Sequence, residues 1–291
     1  MPKTALVLSG GGAKGAFQMM AEKYAREVKG YHWDIVAGVS AGALNGTMIA
    51  MGKYARLEEI WRTVTKNQIY KGNLNLWALI KMAFGAKSAL DNRPLEDLLT
   101  REIDPAAFQC DLRVGAVSLR SGEYVRFKPT DPGFAQAVLA STAIPLMFKP
   151  VNIAPDFPDM VDGGVRNVSP LGDVLDEDPD EVIVINCNPS LPPAHPEPFK
   201  NALAIGLTAL DIAMNEIFIT DLSEFLRINH NVQEAAAHGV ILHNEKGKPY
   251  KFFQCAVIEP DDLLGDLLDL SPEMMERRMQ AGWDKARQVL G

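Results

Sequence analysis

The sequence predicts an α/β protein with a parallel sheet, and two observations carry that reading. An apolar run, a glycine-containing turn and a helix-like stretch follow one another twice within the first sixty residues. That alternation is the pattern of parallel strands joined by crossover helices. Later apolar runs, Leu112–Leu119 and Val182–Cys187, supply further buried strands. With 291 residues the chain is long enough for a sizeable core.

Taken in order, Thr4–Ser9 reads as the first strand and Gly10-Gly11-Gly12-Ala13-Lys14-Gly15 as its turn, leading to a helix over about Ala16–Val28. Asp34–Val39 is the second strand. Ala41–Met51 is a small-residue helix with Gly52 as its stop, and a further helix around Leu57–Lys66 carries Trp61. From Asn67 to Leu90 the pattern loosens, and the apolar residues Leu74, Leu76, Trp77, Leu79, Ile80, Met82 and Phe84 read either as a core helix or as a cap over an acyl pocket. A short helix follows Pro94, and Leu112–Leu119 with Gly122–Phe127 flank a hairpin turn at Arg120-Ser121. Phe134–Ala140 is helical, and Pro145 ends any helix before it. Met160-Val161 enters Asp162-Gly163-Gly164, and a proline-dense loop spans Pro189–Pro198. Asn201 to about Ala237 reads as two amphipathic helices covering a sheet face. A late strand at Phe252–Ile258 and a closing helix at Pro272–Leu290 complete the chain. There is no internal repeat, so a single domain over 1–291 is expected, with the motifs in 4–187 and the segment 200–291 packed on them.

Composition narrows the function. The 29 basic and 37 acidic residues give a net charge of −8, which argues against a nucleic-acid partner or a polybasic membrane surface. Cys110, Cys187 and Cys255 lack metal-type spacing and read as buried free thiols. Ala5–Leu8 is too short for a signal-peptide core, and no run approaches the roughly 18 apolar residues that span a bilayer. A cytoplasmic location is expected, with export by a route lacking a cleaved signal left open.

The chemistry concentrates at Gly38-Val39-Ser40-Ala41-Gly42, which has the G-x-S-x-G spacing of a nucleophile elbow between a strand and a helix. The tight turn lifts the Ser40 hydroxyl above the strand, and the helix dipole favours negative charge on it. Gly10, Gly12 and Gly15 fit G-x-G-x-x-G, with Asp34 about 20 residues on, which on paper is a dinucleotide fingerprint. Yet Asp34 lies at the beginning of strand two, and Ser40 occupies the end where the ribose-binding acid belongs. A P-loop fails because Lys14 precedes Gly15. The other chemistry open to consecutive glycines is an oxyanion hole, with backbone N–H groups converging at a helix start. In a parallel sheet the ends of strands one and two open on the same edge, so this turn would face Ser40.

Acyl transfer also needs a base. His32 lies at the wrong end of strand two, and His195, His230, His238 and His243 stand in polar or loop-like contexts that suit solvated side chains. Asp162, leaving an apolar pair into two glycines, is the better candidate. An aspartate with an ordinary pKa of about 3.9 is a feeble base for a serine, so burial beside Ser40 has to narrow the mismatch.

Four blocks together resemble the patatin-like phospholipases: Gly10–Gly15, Gly38–Gly42, Ala140-Ser141-Thr142-Ala143-Ile144-Pro145 with Phe148 and Pro150, and Asp162-Gly163-Gly164 with Asn167 and Pro170. They stand in the family's order, and no motif position departs from it. The resemblance implies a three-layer α/β/α fold with a central, mainly parallel sheet and a Ser40–Asp162 dyad acting on lipid acyl esters. It further implies an oxyanion hole from the backbone of Gly10, Gly11 and Gly12, with Lys14, Gly15, Gly38, Gly42, Gly163 and Gly164 as motif positions. No metal or cofactor is implied. Lys14 takes the family's basic position, either in an electrostatic role at the site or as a solvated lysine at a helix start. The expected partner is a lipid substrate, met with transient contact at a membrane surface, and the oligomeric state is left open. Other readings are a carboxylesterase on non-phospholipid esters, a lipid-binding protein without turnover and a dinucleotide-binding module.

Overall fold

Residues 2–73, 84–153, 156–190 and 202–291 are described by the structure, a computed structural model. The first strand, β1 (Thr4–Leu8), shows why a central sheet forms. Every one of its residues is buried, with Leu6 and Leu8 in one apolar cluster and Ala5 and Val7 in another. Alternate side chains of a strand point to opposite faces, so an all-apolar strand needs cover on both.

The other strands are β2 (Ile35–Gly38), β3 (Asp111–Ser118), β4 (Tyr124–Phe127), β5 (Val151–Ile153), β6 (Phe157–Asp162), β7 (Glu181–Ile185) and β8 (Gln254–Ile258). They join β1 in one sheet of order β5-β6-β3-β2-β1-β7-β8, with β4 also paired to β3. Strands β1, β2, β3, β7 and β8 run parallel, while β4 and β6 lie antiparallel to β3, and β5 to β6. The hairpin expected at Arg120-Ser121 is the β3–β4 pair. Strand β5 carries no signal in the sequence reading; three residues are too few to set a period.

On one face lie α1 (Gly15–Glu27), α2 (Ala41–Ala50), α3 (Tyr54–Thr63), α4 (Lys66–Ile69), α5 (Arg93–Glu102) and α6 (Phe134–Ser141). The closing helix, α9 (Pro272–Leu290), packs on α1 there, through an edge-to-face contact of Tyr24 and Trp283 at 5.0 Å. Gly282 makes this crossing close, since a Cβ on it would fall 2.1 Å from the Phe17 carbonyl oxygen. On the opposite face α7 (Leu171–Leu175) contributes Leu171 and Val174, and α8 (Ala202–Ala237) contributes Phe218 and Leu222. The result is the three-layer α/β/α arrangement with a mainly parallel sheet.

Two expectations change. The stretch 202–237 is one continuous helix, α8, rather than two. Between Gly206 and Gly239 there is neither glycine nor proline to break it. The helix carrying Trp61 starts earlier, at Tyr54, and ends at Thr63. Thr65 then opens the separate turn α4 with a capping box, its N–H donating to Gln68 Oε1 at 2.8 Å. Residues 74–83, on which the cap over 67–90 was expected, and 191–201, which include most of the proline-dense loop, lie outside the described residues. Among the described residues no helix is long and apolar enough to cross a membrane.

Candidate active site

Ser40 caps α2 with φ 57° and ψ −123°, a backbone conformation that side-chain-bearing residues rarely adopt. Such strain costs on the order of 1–3 kcal/mol and persists only where the surroundings enforce it. Here the two flanking glycines do so. A Cβ on Gly38 would meet the Gly42 carbonyl oxygen at 2.2 Å, and one on Gly42 would meet the Leu8 carbonyl oxygen at 2.2 Å. The turn is therefore pressed against the end of β1, and only glycine fits at either position. The Ser40 N–H, which the helix leaves without a partner, donates to the Ser141 hydroxyl at 2.9 Å. Ser141 is fully buried at the end of α6.

The position of Asp162 follows from strand pairing. Val114 pairs with both Gly38 of β2 and Phe127 of β4, so β2 and β4 lie on opposite edges of β3. Ala116 pairs with both Val125 of β4 and Asp162 of β6, so β6 shares the edge used by β2. Strands β2 and β6 thus run toward each other along one edge of β3, and their C-terminal ends meet at Gly115. Gly163 fills that junction, where a Cβ would lie 2.4 Å from the Gly115 carbonyl oxygen and 3.0 Å from Val39 Cγ1. A Cβ on Gly164 would fall 2.4 Å from Met214 Cε. This meeting of strand ends brings Asp162 to Ser40.

Asp162 is completely buried. Its Oδ1 accepts the Gly164 N–H at 2.8 Å, while Oδ2 has no donor among the described residues. Burial raises its pKa from 3.8 to about 7, partly offset by the Gly164 N–H and by the nearby Ser40 hydroxyl. The weak-base difficulty foreseen from the sequence is thereby reduced, because a carboxyl near neutrality accepts a serine proton more readily.

The glycine turn after β1 lies against the elbow, with Gly10 so close that a Cβ on it would be 3.3 Å from Ser40 Cβ. The Gly10 N–H donates to the Val168 carbonyl at 3.1 Å, and the Ala13 N–H to the Leu267 carbonyl at 2.8 Å. Among the described residues nothing accepts the N–H of Gly11 or Gly12. A Cβ on Gly11 would collide with Cys187 Cβ at 2.3 Å, and Gly12 has φ +55°. Gly15 makes room for the Trp61 ring, 2.7 Å from where its Cβ would be. Lys14 is buried rather than solvated, and its Nζ donates to Asn188 Oδ1 at 2.6 Å.

Below the turn a buried polar chain fixes the spacing of the surrounding elements. Trp61 Nε1 donates to Asn45 Oδ1 at 2.7 Å, and Asn45 Nδ2 donates to the Gly15 carbonyl at 2.9 Å and to Gln18 Oε1 at 3.1 Å. Gln18 Nε2 in turn donates to the carbonyls of Ser9 at 2.8 Å and Ile185 at 3.0 Å. Each buried polar group so satisfied avoids a desolvation cost of about 1–3 kcal/mol.

Two openings meet at Ser40. One is a cavity of about 130 Å³ walled largely by apolar side chains, among them Trp61, Leu95, Leu99, Ile144, Phe148 and Leu267. The other is a recess of about 40 Å³ bearing Gly11, Gly12, Lys14 and Asp211. The arrangement offers a serine, a buried carboxylate, two N–H groups with no acceptor among the described residues, an apolar trough and a recess bordered by Lys14 and Asp211.

Among the described residues no histidine is buried. His32, His230, His238 and His243 are exposed, and His195 lies outside the described residues. Asp34, the acid of the dinucleotide reading, sits at the far end of β2, where its Oδ2 accepts the Thr4 N–H at 2.7 Å. The thiols of Cys110, Cys187 and Cys255 are free, and burial pushes each up to about 12. Sequence reasoning gave no role to Ser141, although it stood within a quoted block, and none to Leu267, whose contact is made by a main-chain carbonyl with no residue signature.

A family model described as Patatin-like phospholipase matches residues 6–175, more than half of the chain. No curated protein matches the sequence. Among solved structures, VipD from Legionella pneumophila is similar with a TM-score of 0.50 at 16% identity, over 99% of this chain and 66% of that one. The type III effector protein ExoU is similar with a TM-score of 0.40 at 17% identity, over 99% of this chain and 53% of that one. The chain thus spans somewhat less than two thirds of VipD and about half of ExoU, and the VipD likeness bears on the fold alone. The glycine turn, the elbow and Asp162 all fall inside the matched stretch, and the chain belongs to the Patatin-like phospholipase family.

Proposed function

We propose that the protein is a serine lipid acyl hydrolase that cleaves acyl esters of phospholipids, lysophospholipids or related lipids. Ser40 is the nucleophile and Asp162 the base. The observation that carries this reading is the meeting of β2 and β6, which sets a strained serine beside a buried carboxylate with one oxygen unpartnered.

In the proposed cycle the acyl chain enters the apolar cavity and the ester carbonyl comes to rest over Ser40. Asp162 takes the hydroxyl proton as Ser40 Oγ attacks the carbonyl carbon. The negative oxygen that forms is held by the N–H groups of Gly11 and Gly12, since that of Gly10 is engaged by Val168. Asp162 then gives its proton to the departing alcohol, leaving an acyl ester on Ser40. Water, deprotonated by the same carboxylate, attacks the acyl carbon; the bond to Ser40 Oγ breaks as Asp162 returns the proton to that oxygen, and the fatty acid is released. Lys14, in the smaller recess, adds positive potential on the side where a phosphate-bearing alcohol would leave.

The test is hydrolysis of a panel of lipids and soluble acyl esters, with product mass analysis, by wild type, Ser40→Ala, Asp162→Asn and each His→Ala. Activity is expected to vanish in Ser40→Ala and to survive every histidine change. Full activity in Ser40→Ala sinks the proposal. Loss in one histidine variant, together with an unaffected Asp162→Asn, replaces the dyad by a triad.

A further inference from the structure

What braces the glycine turn from outside comes from beyond residue 175, where the family match ends. A Cβ on Gly12 would lie 2.5 Å from the Leu267 carbonyl oxygen, and the same oxygen accepts the Ala13 N–H at 2.8 Å. Leu267 also borders both openings at Ser40, and Leu268 and Leu270 border the apolar cavity. A single loop residue therefore touches the turn and both of its approaches.

That loop, between β8 and α9, has no regular structure of its own. One side chain holds it. Arg278 of α9 is fully buried, and its guanidinium donates to the carbonyls of Leu264 at 2.8 Å, Asp266 at 2.6 Å and Asp269 at 2.6 Å. Two of these acceptors closely bracket Leu267. Among the described residues no carboxylate forms an ion pair with Arg278. Taking a guanidinium out of water costs several kcal/mol, and here three charge-assisted hydrogen bonds to main chain offset it. Only the planar fork of arginine reaches three divergent carbonyls at once; a lysine ammonium cannot span them.

We propose that Arg278 is a positioning residue for acyl transfer: it fixes the 264–270 loop so that the Leu267 carbonyl locks Gly12 and Ala13, keeping the Gly11 and Gly12 N–H groups aimed at the forming oxyanion. This rests on the hydrolase reading above. If Arg278 were only a staple for the fold, its loss would lower the melting temperature and leave the turnover of folded protein unchanged.

The experiment compares full-length wild type, Arg278→Met, Arg278→Lys and Gly265→Ala. The last perturbs the loop while keeping the guanidinium in the chain, since Gly265 has φ +76° and a Cβ there would crowd Met274 Cε at 3.2 Å and lie 3.6 Å from Arg278 Nη2. The probes are p-nitrophenyl butyrate, with kcat and KM resolved, and the rate at which a fluorophosphonate labels Ser40. Melting curves set a temperature at which each variant is folded. In Arg278→Met, kcat and the labelling rate are expected to fall together by about ten- to a hundredfold, as for misplacement of reacting groups by about 1 Å, while KM moves less than about threefold. Arg278→Lys should recover part of the loss, and Gly265→Ala should fall in the same direction. Folded variants with wild-type kcat and labelling overturn the proposal. If Arg278→Met does not fold, Arg278→Lys and Gly265→Ala decide it by the same two rates. A wild type that neither hydrolyses the ester nor labels at Ser40 overturns the hydrolase reading and this proposal with it; an active wild type with unchanged variants overturns this proposal alone.

Discussion

Asp162, the base of the proposed reaction, illustrates how burial shifts an ordinary side chain toward such a role. Its folded pKa of about 7 lies above the usual 3.8 because the carboxylate is desolvated. Activity should therefore require the ionised form, and kcat/KM for a soluble acyl ester should rise with pH through an apparent pKa near 7. Asp162→Asn is expected to lower kcat by about 10²–10⁴-fold and to remove that limb, which a pH–rate profile checks. The same shift has a sign in stability. Between pH 3.8 and about 7 the native state holds the proton more tightly than the unfolded chain, so stability is lost as pH rises through that window and levels off above it. Asp162→Asn lacks the ionisation, so it should be more stable than wild type at pH 8, by up to about 4 kcal/mol, with the gap closing below about pH 4. Urea denaturation at several pH values measures it; a gap that widens toward acid would contradict the burial argument. Ser141 makes a second prediction at this scale. Ser141→Ala leaves the Ser40 N–H buried without an acceptor and should cost about 1–3 kcal/mol in the same denaturation assay. It should also lower kcat, because the elbow then loses the contact that fixes its strained backbone.

At the scale of elements, the site depends on two strand ends meeting on one edge of β3. Gly163→Ala would push a methyl against the Gly115 carbonyl, which is main chain and cannot step aside. A loss of about 1–3 kcal/mol is expected, with activity falling at least tenfold as Asp162 is displaced. Gly172→Ala is the matched control. It lies in α7 with nothing within 4 Å of its would-be Cβ, so alanine should leave activity unchanged and add up to about 1 kcal/mol. Comparing the two in denaturant and ester hydrolysis separates a steric requirement for glycine from a propensity effect. These contrasts also mark what the sequence made legible. Strands β1, β2 and β7 and helices α2 and α9 announce themselves through apolar runs, a glycine stop or an N-terminal proline, all local signals. Ser40 and the glycine turn were legible for the same reason. The edge chosen by β6 was not, since it depends on pairing with β3 more than forty positions earlier in the chain. The single long α8 was misread because its apolar period drifts, although no residue after Gly206 argues for a break. Leu267 could not be found at all, because a carbonyl contact leaves no mark on residue type.

At the scale of the whole molecule, the apolar cavity belongs to no single element. Its walls come from α2, α3, α5, the segment after α6 and the loop before α9, so its depth reports how these pieces close together. Leu99 of α5 is buried in the core and contributes to that wall. Replacing it by tryptophan should fill part of the trough while leaving Ser40, Asp162 and the glycine turn untouched. Overpacking of this kind costs about 1–3 kcal/mol, which a melting curve can register separately from catalysis. If the trough holds the acyl chain, Leu99→Trp should cut kcat/KM for long-chain esters by at least about tenfold, since a displaced chain forfeits buried apolar area worth about 0.8 kcal/mol per CH₂. Short-chain esters, which do not reach the added ring, should be hydrolysed at rates within about twofold of wild type. The measurement is a series of p-nitrophenyl esters of increasing length, run at a temperature where the variant is folded. A uniform loss across the series would mean that the elbow itself had moved. An unchanged long-chain rate would place the acyl chain elsewhere and leave the cavity as mere packing slack between helices.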